Sequence, residues 1–191
     1  GYELRRRDAD FAPDEYAMFE RVRDFTATGP ARVVGLVDAV RYVVENRLEG
    51  DVVECGVWRG GSMMAIAWTL LSLGDTGRDL YLFDTFEGMS DPTDEDRLMN
   101  GLSASELLSV MPKSASDPNY WCFADLESVR KNLANTGYPA ERLFFVKGKV
   151  EETLPGRAPE RIALLRLDTD WYESTRHELE HLYSRLVPHG V

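Results

Sequence analysis

Cysteine is scarce in this 191-residue chain, which has only Cys55 and Cys122. They lie far apart at no ligand-like spacing, which excludes a disulfide framework and a paired-cysteine zinc site and suits a reducing cytoplasm. No run approaches the ~18 apolar residues that span a bilayer, and no signal-peptide core opens the chain, so a soluble, cytoplasmic protein without membrane contact is expected. Basic residues are also short, 22 Lys and Arg against 33 Asp and Glu, leaving a formal charge of -11. A surface of that sign repels phosphate backbones, which argues against a nucleic-acid partner; Arg5, Arg6 and Arg7 form the one obvious basic run. Of three histidines, His177 and His181 have helical spacing, but no third ligand is near and Glu178 and Glu180 mark a solvated face, so they do not form a zinc site. The dinucleotide fingerprint G-x-G-x-x-G is missing too, which argues against a nicotinamide-dependent dehydrogenase.

What the chain does have is alternation. Residues 1–30 read as an N-terminal helical segment, with Met18, Phe19, Val22 and Phe25 at helical spacing; it either packs on the domain surface or covers a site as a lid. Residues 31–191 read as one α/β domain. Its first helix carries Val33, Leu36, Val37, Val40, Val44 and Leu48 and stops at Gly50. Buried strands are predicted at 51–57, 80–86, 143–146 and 162–167, with helices from Ser62 (as cap) to about Leu73, at Leu98–Met111, Leu126–Leu133 and Glu173–Leu186. Strands alternating with helices predict a doubly wound, mostly parallel sheet with helices on both faces. The last residues, Pro188 to Val191, read as a turn into a further strand, so C-terminal strands are expected beyond Val191.

Three strand ends carry chemistry. The first is Glu54-Cys55-Gly56-Val57-Trp58-Arg59-Gly60-Gly61-Ser62. Glycines let backbone approach a ligand at a strand-to-helix turn, and an acid there suits an ammonium group, such as the methionine part of S-adenosylmethionine, better than a pyrophosphate. The second is Asp84, 23 residues after Gly61, where an acid can accept hydrogen bonds from both ribose hydroxyls. The third is Arg166-Leu167-Asp168-Thr169-Asp170. Strand alternation puts Arg166, Asp168 and Asp170 on one side; a strand arginine there needs a partner or ligand, and the two carboxylates suit hydrated Mg²⁺. The simpler reading is that Asp170 or Ser174 caps the following helix.

These motifs resemble the TylF/MycF (macrocin-type) O-methyltransferases: VECGVWRGGS at Val53–Ser62, LFDTFEGM at Leu82–Met89 and LRLDTDWYEST at Leu165–Thr175, in that order, within a likeness running from Thr26 to the C-terminus. The resemblance implies a class I methyltransferase that uses S-adenosyl-L-methionine and Mg²⁺ to methylate a sugar hydroxyl of a glycosylated natural product, as in antibiotic biosynthesis. It implies that Glu54, Gly56, Gly60, Gly61 and Ser62 surround the methionine moiety, that Asp84 binds ribose and that Gly148 lies beside adenine. Arg166 is grouped with these cofactor-binding residues. Asp168 matches the first metal ligand and Asp170 the best candidate for general base. The remaining metal ligands, a paired-aspartate motif in the family, are expected beyond Val191.

The expected reaction is removal of an acceptor proton by Asp170, with the metal lowering the acceptor pKa. The acceptor is a small hydroxyl-bearing molecule; a phenolic or polyketide hydroxyl, or a non-catalytic cofactor-binding or assembly protein of this fold, are the alternatives. A homo-oligomer is compatible with the family. The connection from Ser90 to Tyr120 reads either as a cover for the site or as a surface excursion.

Overall fold

A computed structural model describes residues 11, 13–98, 100–110 and 121–191. Helix α1 (Pro13–Val22) is followed by α2 (Pro30–Glu45), where Pro30 takes the first turn, a place that needs no N–H. One stripe of α2 (Val33, Val37, Val40 and Val43) is buried, as a helical period requires. Strand β1 (Asp51–Cys55) leads to α3 (Gly61–Ser72), a helix buried on nearly every side, against which α1 and α2 pack.

Strand β2 (Leu80–Asp84), short α4 (Ala104–Ser109), α5 (Leu126–Ala134), β3 (Leu143–Lys147), one-turn α6 (Val150–Thr153), β4 (Ile162–Leu167) and α7 (Tyr172–Leu182) complete the described chain. The sheet is wholly parallel in the order β3-β2-β1-β4. Val52, Leu80, Leu82 and Leu164 face α2 and α3, while Val53, Cys55, Phe83 and Val146 face α6 and α7. This is the expected doubly wound architecture. Because the chain moves outward from β1 to β3 and then returns to β1's other side for β4, the order reverses between β1 and β4, and open α/β sheets bind ligands at the carboxyl end of such a reversal. At the far edge of β4, Val191 donates to Ala163 O and its carbonyl accepts from Leu165 N, so the last residue pairs as a neighbouring strand would.

The structure corrects several predicted boundaries. Ser62 does not cap α3: the chain enters that helix through left-handed Gly60, and Ser62 is buried in the first turn. The Leu98–Met111 helix shrinks to α4, because a tight turn at left-handed Gly101 pairs Arg97 with Ser103, and Ser103 caps the shortened helix. Helix α7 ends at Leu182 and tightens into a 3₁₀ turn at Tyr183–Arg185. The Arg5–Arg7 run and residues 111–120 of the long connection lie outside the described residues.

Candidate active site

One crevice opens at the carboxyl edge of the sheet, and it brings together Glu54, Asp84, Gly148, Asp168 and Asp170 from the ends of all four strands. Gly56, Gly61 and Ser62 line it as well; Gly60 and Arg166 do not.

Glu54 and Arg166 are register partners on β1 and β4. The Arg166 guanidinium donates to Glu54 Oε1 at 2.8 Å and to Asp168 Oδ2 at 2.9 Å. The arginine predicted to need a partner therefore has two, and it stands behind the crevice, orienting two acids that face it. Burial alone would depress its pKa, but Glu54 and Asp168 outweigh that and raise it. Glu54 is 1% exposed and its Oε2 has no hydrogen-bond partner. Burial pushes its pKa up to about 8, against the pull of Arg166 and helped by Asp168 and Asp84. An unpartnered buried carboxylate oxygen is costly, and a cationic group entering the crevice would satisfy it. The donor set therefore fits the ammonium end of S-adenosylmethionine.

Asp84 does more than the sequence suggests. Its Oδ2 accepts from Val57 N at 2.7 Å and Trp58 N at 3.0 Å, and its Oδ1 accepts from Phe86 N at 2.7 Å. Trp58 and Phe86 have φ of 49° and 52°, a left-handed conformation costly for aromatic residues, so this carboxylate pins two strained turns. Thr85 Oγ1 also lies 3.4 Å from Oδ1, so the same carboxylate that lines the crevice braces the turns on either side of it.

The glycines divide by role. Gly56 (φ 82°) admits no side chain: a Cβ would lie 2.5 Å from Asp168 O, so its bareness lets β4's loop close on β1. At Gly61, a Cβ would meet the Phe25 carbonyl at 2.6 Å, and Gly61 N donates to Phe25 O. At Gly60, a Cβ would strike Leu133 of α5, so this glycine serves helix packing. Gly148 N continues the ladder to Asp84 O, and this glycine adds no side chain of its own to the β3 end of the crevice, where Lys149, Val150 and Glu151 follow it.

Asp168 and Asp170 are both exposed to the crevice. Asp170 does not cap α7. That duty falls to Asp96, which accepts from Tyr172 N at 2.7 Å while its other oxygen takes Thr93 N and Oγ1. Asp170 is left open, its pKa raised by partial burial and then by Asp168. Among the described residues no cluster of three or more His, Cys, Asp or Glu is placed to hold a metal. Mg²⁺ needs few protein carboxylates and keeps its waters, so Asp168, with Oδ1 free of Arg166, fits one ligand of such an ion.

Phe25–Thr28 and Arg32 also line the crevice; the sequence offered residues 1–30 as a surface helix or a lid but named none of these as site residues. The one local signal was the turn-forming Thr28-Gly29-Pro30 ahead of α2. No described helix is long and apolar enough to cross a membrane.

Known proteins resemble this chain in sequence and in fold. The macrocin-O-methyltransferase (TylF) family model matches residues 21–191. A Streptomyces olivaceus 8-demethyl-8-(2,3-dimethoxy-alpha-L-rhamnosyl)-tetracenomycin-C 4'-O-methyltransferase is 37% identical, covering 86% of this chain and 59% of its own length. Mycinamicin III 3''-O-methyltransferase of Micromonospora griseorubida is 31% identical over 86% of this chain and 62% of its own. This chain thus spans about three-fifths of the curated relatives it matches. The solved O-methyltransferase NovP has a TM-score of 0.68 at 30% identity, covering 85% of this chain and 63% of that one. The calicheamicin methyltransferase CalS11, at 23% identity and TM-score 0.62, shares the fold. A family match across nearly the whole chain makes this chain a member of the macrocin-O-methyltransferase family.

Proposed function

We propose that the protein is an S-adenosylmethionine-dependent, Mg²⁺-assisted O-methyltransferase acting on a sugar hydroxyl of a glycosylated natural product. The observation that carries the reading is the buried, unpartnered Oε2 of Glu54 in the same crevice as the open carboxylates of Asp168 and Asp170. Family membership supports the reaction class, and the rhamnosyl group in the name of the tetracenomycin relative supports a sugar-bearing acceptor.

When bound, S-adenosylmethionine supplies an electrophilic methyl on a sulfonium, already a good leaving group. Mg²⁺ supplies positive charge that favours an ionised acceptor oxygen. The chain's own residues do the rest. Glu54 would hold the ammonium, Asp84 would bind the ribose, and Gly148 would leave room for the adenine. Asp168 would be the residue of this chain to hold the ion. Asp170, open to the crevice, takes the acceptor's proton. The free, buried Cys55 accords with a reducing compartment.

The test is methyl transfer from labelled S-adenosylmethionine to rhamnosylated and unglycosylated aromatic polyketides, with and without EDTA. Transfer to the glycosylated acceptor alone, lost in EDTA and restored by Mg²⁺, is the expected result. Transfer insensitive to EDTA would remove the metal from the reading, and transfer to the bare phenol would remove the sugar.

A further inference from the structure

The crevice is rich in carboxylates and poor in cations. Glu54, Asp84, Glu151, Asp168 and Asp170 line it, against Arg32 and Lys149. Arg166 lies behind, engaged with Glu54 and Asp168. A carboxylate entering this site therefore meets repulsion unless one of the two remaining cations receives it.

Lys149 stands at the wrong end for an amino-acid head held by Glu54. It follows β3, the outer strand, and β2 separates β3 from β1, a displacement of about 10 Å at the usual strand spacing. Arg32 stands on the β1 side. It occupies the first turn of α2 and reaches the crevice because Phe25–Thr28 lies directly over the start of α3, where Phe25 O accepts the N–H of Gly61. That bond also removes one N–H that the α3 terminus would otherwise offer an anion. Arg32 is exposed and forms no ion pair with a described residue. An unpaired guanidinium is a two-pronged donor suited to a carboxylate.

We propose that Arg32 is the counter-ion of the cofactor's α-carboxylate, and that with Glu54 it makes a two-ended site for a zwitterionic amino-acid head. This rests on the cofactor reading above and adds to it the residue that selects the methionyl end. The unpartnered Oε2 of Glu54 is the second, independent sign of a charged head at this place.

Calorimetry with two probes tests it: S-adenosylhomocysteine, and its decarboxylated analogue, which keeps the ammonium and lacks the carboxylate. Arg32→Met should weaken S-adenosylhomocysteine about tenfold or more, the equivalent of one charged hydrogen bond. It should leave the analogue within about twofold, because Arg32 has nothing to bind there. Arg32→Lys should recover part of the loss, and Lys149→Met should not change the ratio of the two affinities. Equal weakening of both probes by Arg32→Met, or of neither, overturns the assignment while leaving the cofactor reading intact. Failure of the unaltered chain to bind S-adenosylhomocysteine overturns both.

Discussion

Glu178, expected on a solvated face but fully buried on α7, accepts a hydrogen bond from Thr169 Oγ1 at 2.9 Å, so a helix beneath the crevice holds the residue between Asp168 and Asp170. Thr175 Oγ1 donates to Thr169 O from the same helix. Thr169→Val keeps the shape but strips a buried carboxylate of its donor, at a cost of about 1–3 kcal/mol. Thr169→Ser should restore most of the stability. The double variant Thr169→Val with Glu178→Leu should also lie close to the native chain, since removing both partners is far less costly than orphaning one. Denaturant unfolding of these proteins and of Glu178→Leu alone checks this, and additive losses in the double variant would refute the coupling.

The glycines predict opposite signs. Gly56→Ala drives a methyl into Asp168 O and holds alanine at φ 82°, so a destabilisation of about 2–4 kcal/mol is expected. Gly35 lies inside α2 with nothing within 4 Å of where a Cβ would stand, and Gly35→Ala should stabilise by about 0.5–1 kcal/mol. Thermal melts of both variants decide the matter.

Two buried glutamates give an unusual pH dependence. Burial raises Glu54 to about 8 and Glu178 to about 7, from an ordinary 4.5. The folded chain therefore binds these protons more tightly than the unfolded chain. Their contribution to stability is complete below the unfolded value of 4.5 and is lost progressively as pH rises from there to the folded values of about 7 and 8. The melting temperature should fall across that window, and Glu54→Gln with Glu178→Gln should flatten the decline. A ligand ammonium favours the ionised form of Glu54, so cofactor binding near neutral pH should release a proton. Calorimetry in buffers of different ionisation enthalpy would register it as a buffer-dependent heat.

Asp170 and Asp96 separate chemistry from stability. Because Asp96 caps α7, Asp170→Asn should leave the melting temperature and S-adenosylhomocysteine affinity nearly unchanged, while turnover drops by about 10²–10⁴. Asp96→Ala should instead cost roughly 1 kcal/mol of stability. A turnover near that of the unaltered chain for Asp170→Asn would retire the base assignment.

Much of the fold was legible because its signals are local. DVVEC and LYLFD are apolar runs that only a covered parallel strand accommodates, and the valines of α2 repeat with the helical period. The strand-end acids Glu54, Asp84, Asp168 and Asp170 stood out for the same reason, as charges closing apolar runs. Ser62 misled because its residue type favours a cap, whereas a left-handed glycine just before it sets how the chain enters α3. The cap of α7 could not be read locally, since the donor at its start is reached by Asp96, distant in sequence, which leaves Asp170 to the crevice.

The sequence by itself determined the alternation of strands and helices, and with it the row of acids at the strand ends, since periodicity and residue type act over a few neighbouring positions. Only the tertiary structure decided which ends meet. The order β3-β2-β1-β4 sets β4 beside β1, and so Arg166 beside Glu54 and Asp168 O against the bare α-carbon of Gly56. It also decided that Phe25 lies on Gly61 and carries Arg32 to the crevice wall. Contacts of that range follow from how the layers pack, and no local pattern encodes them.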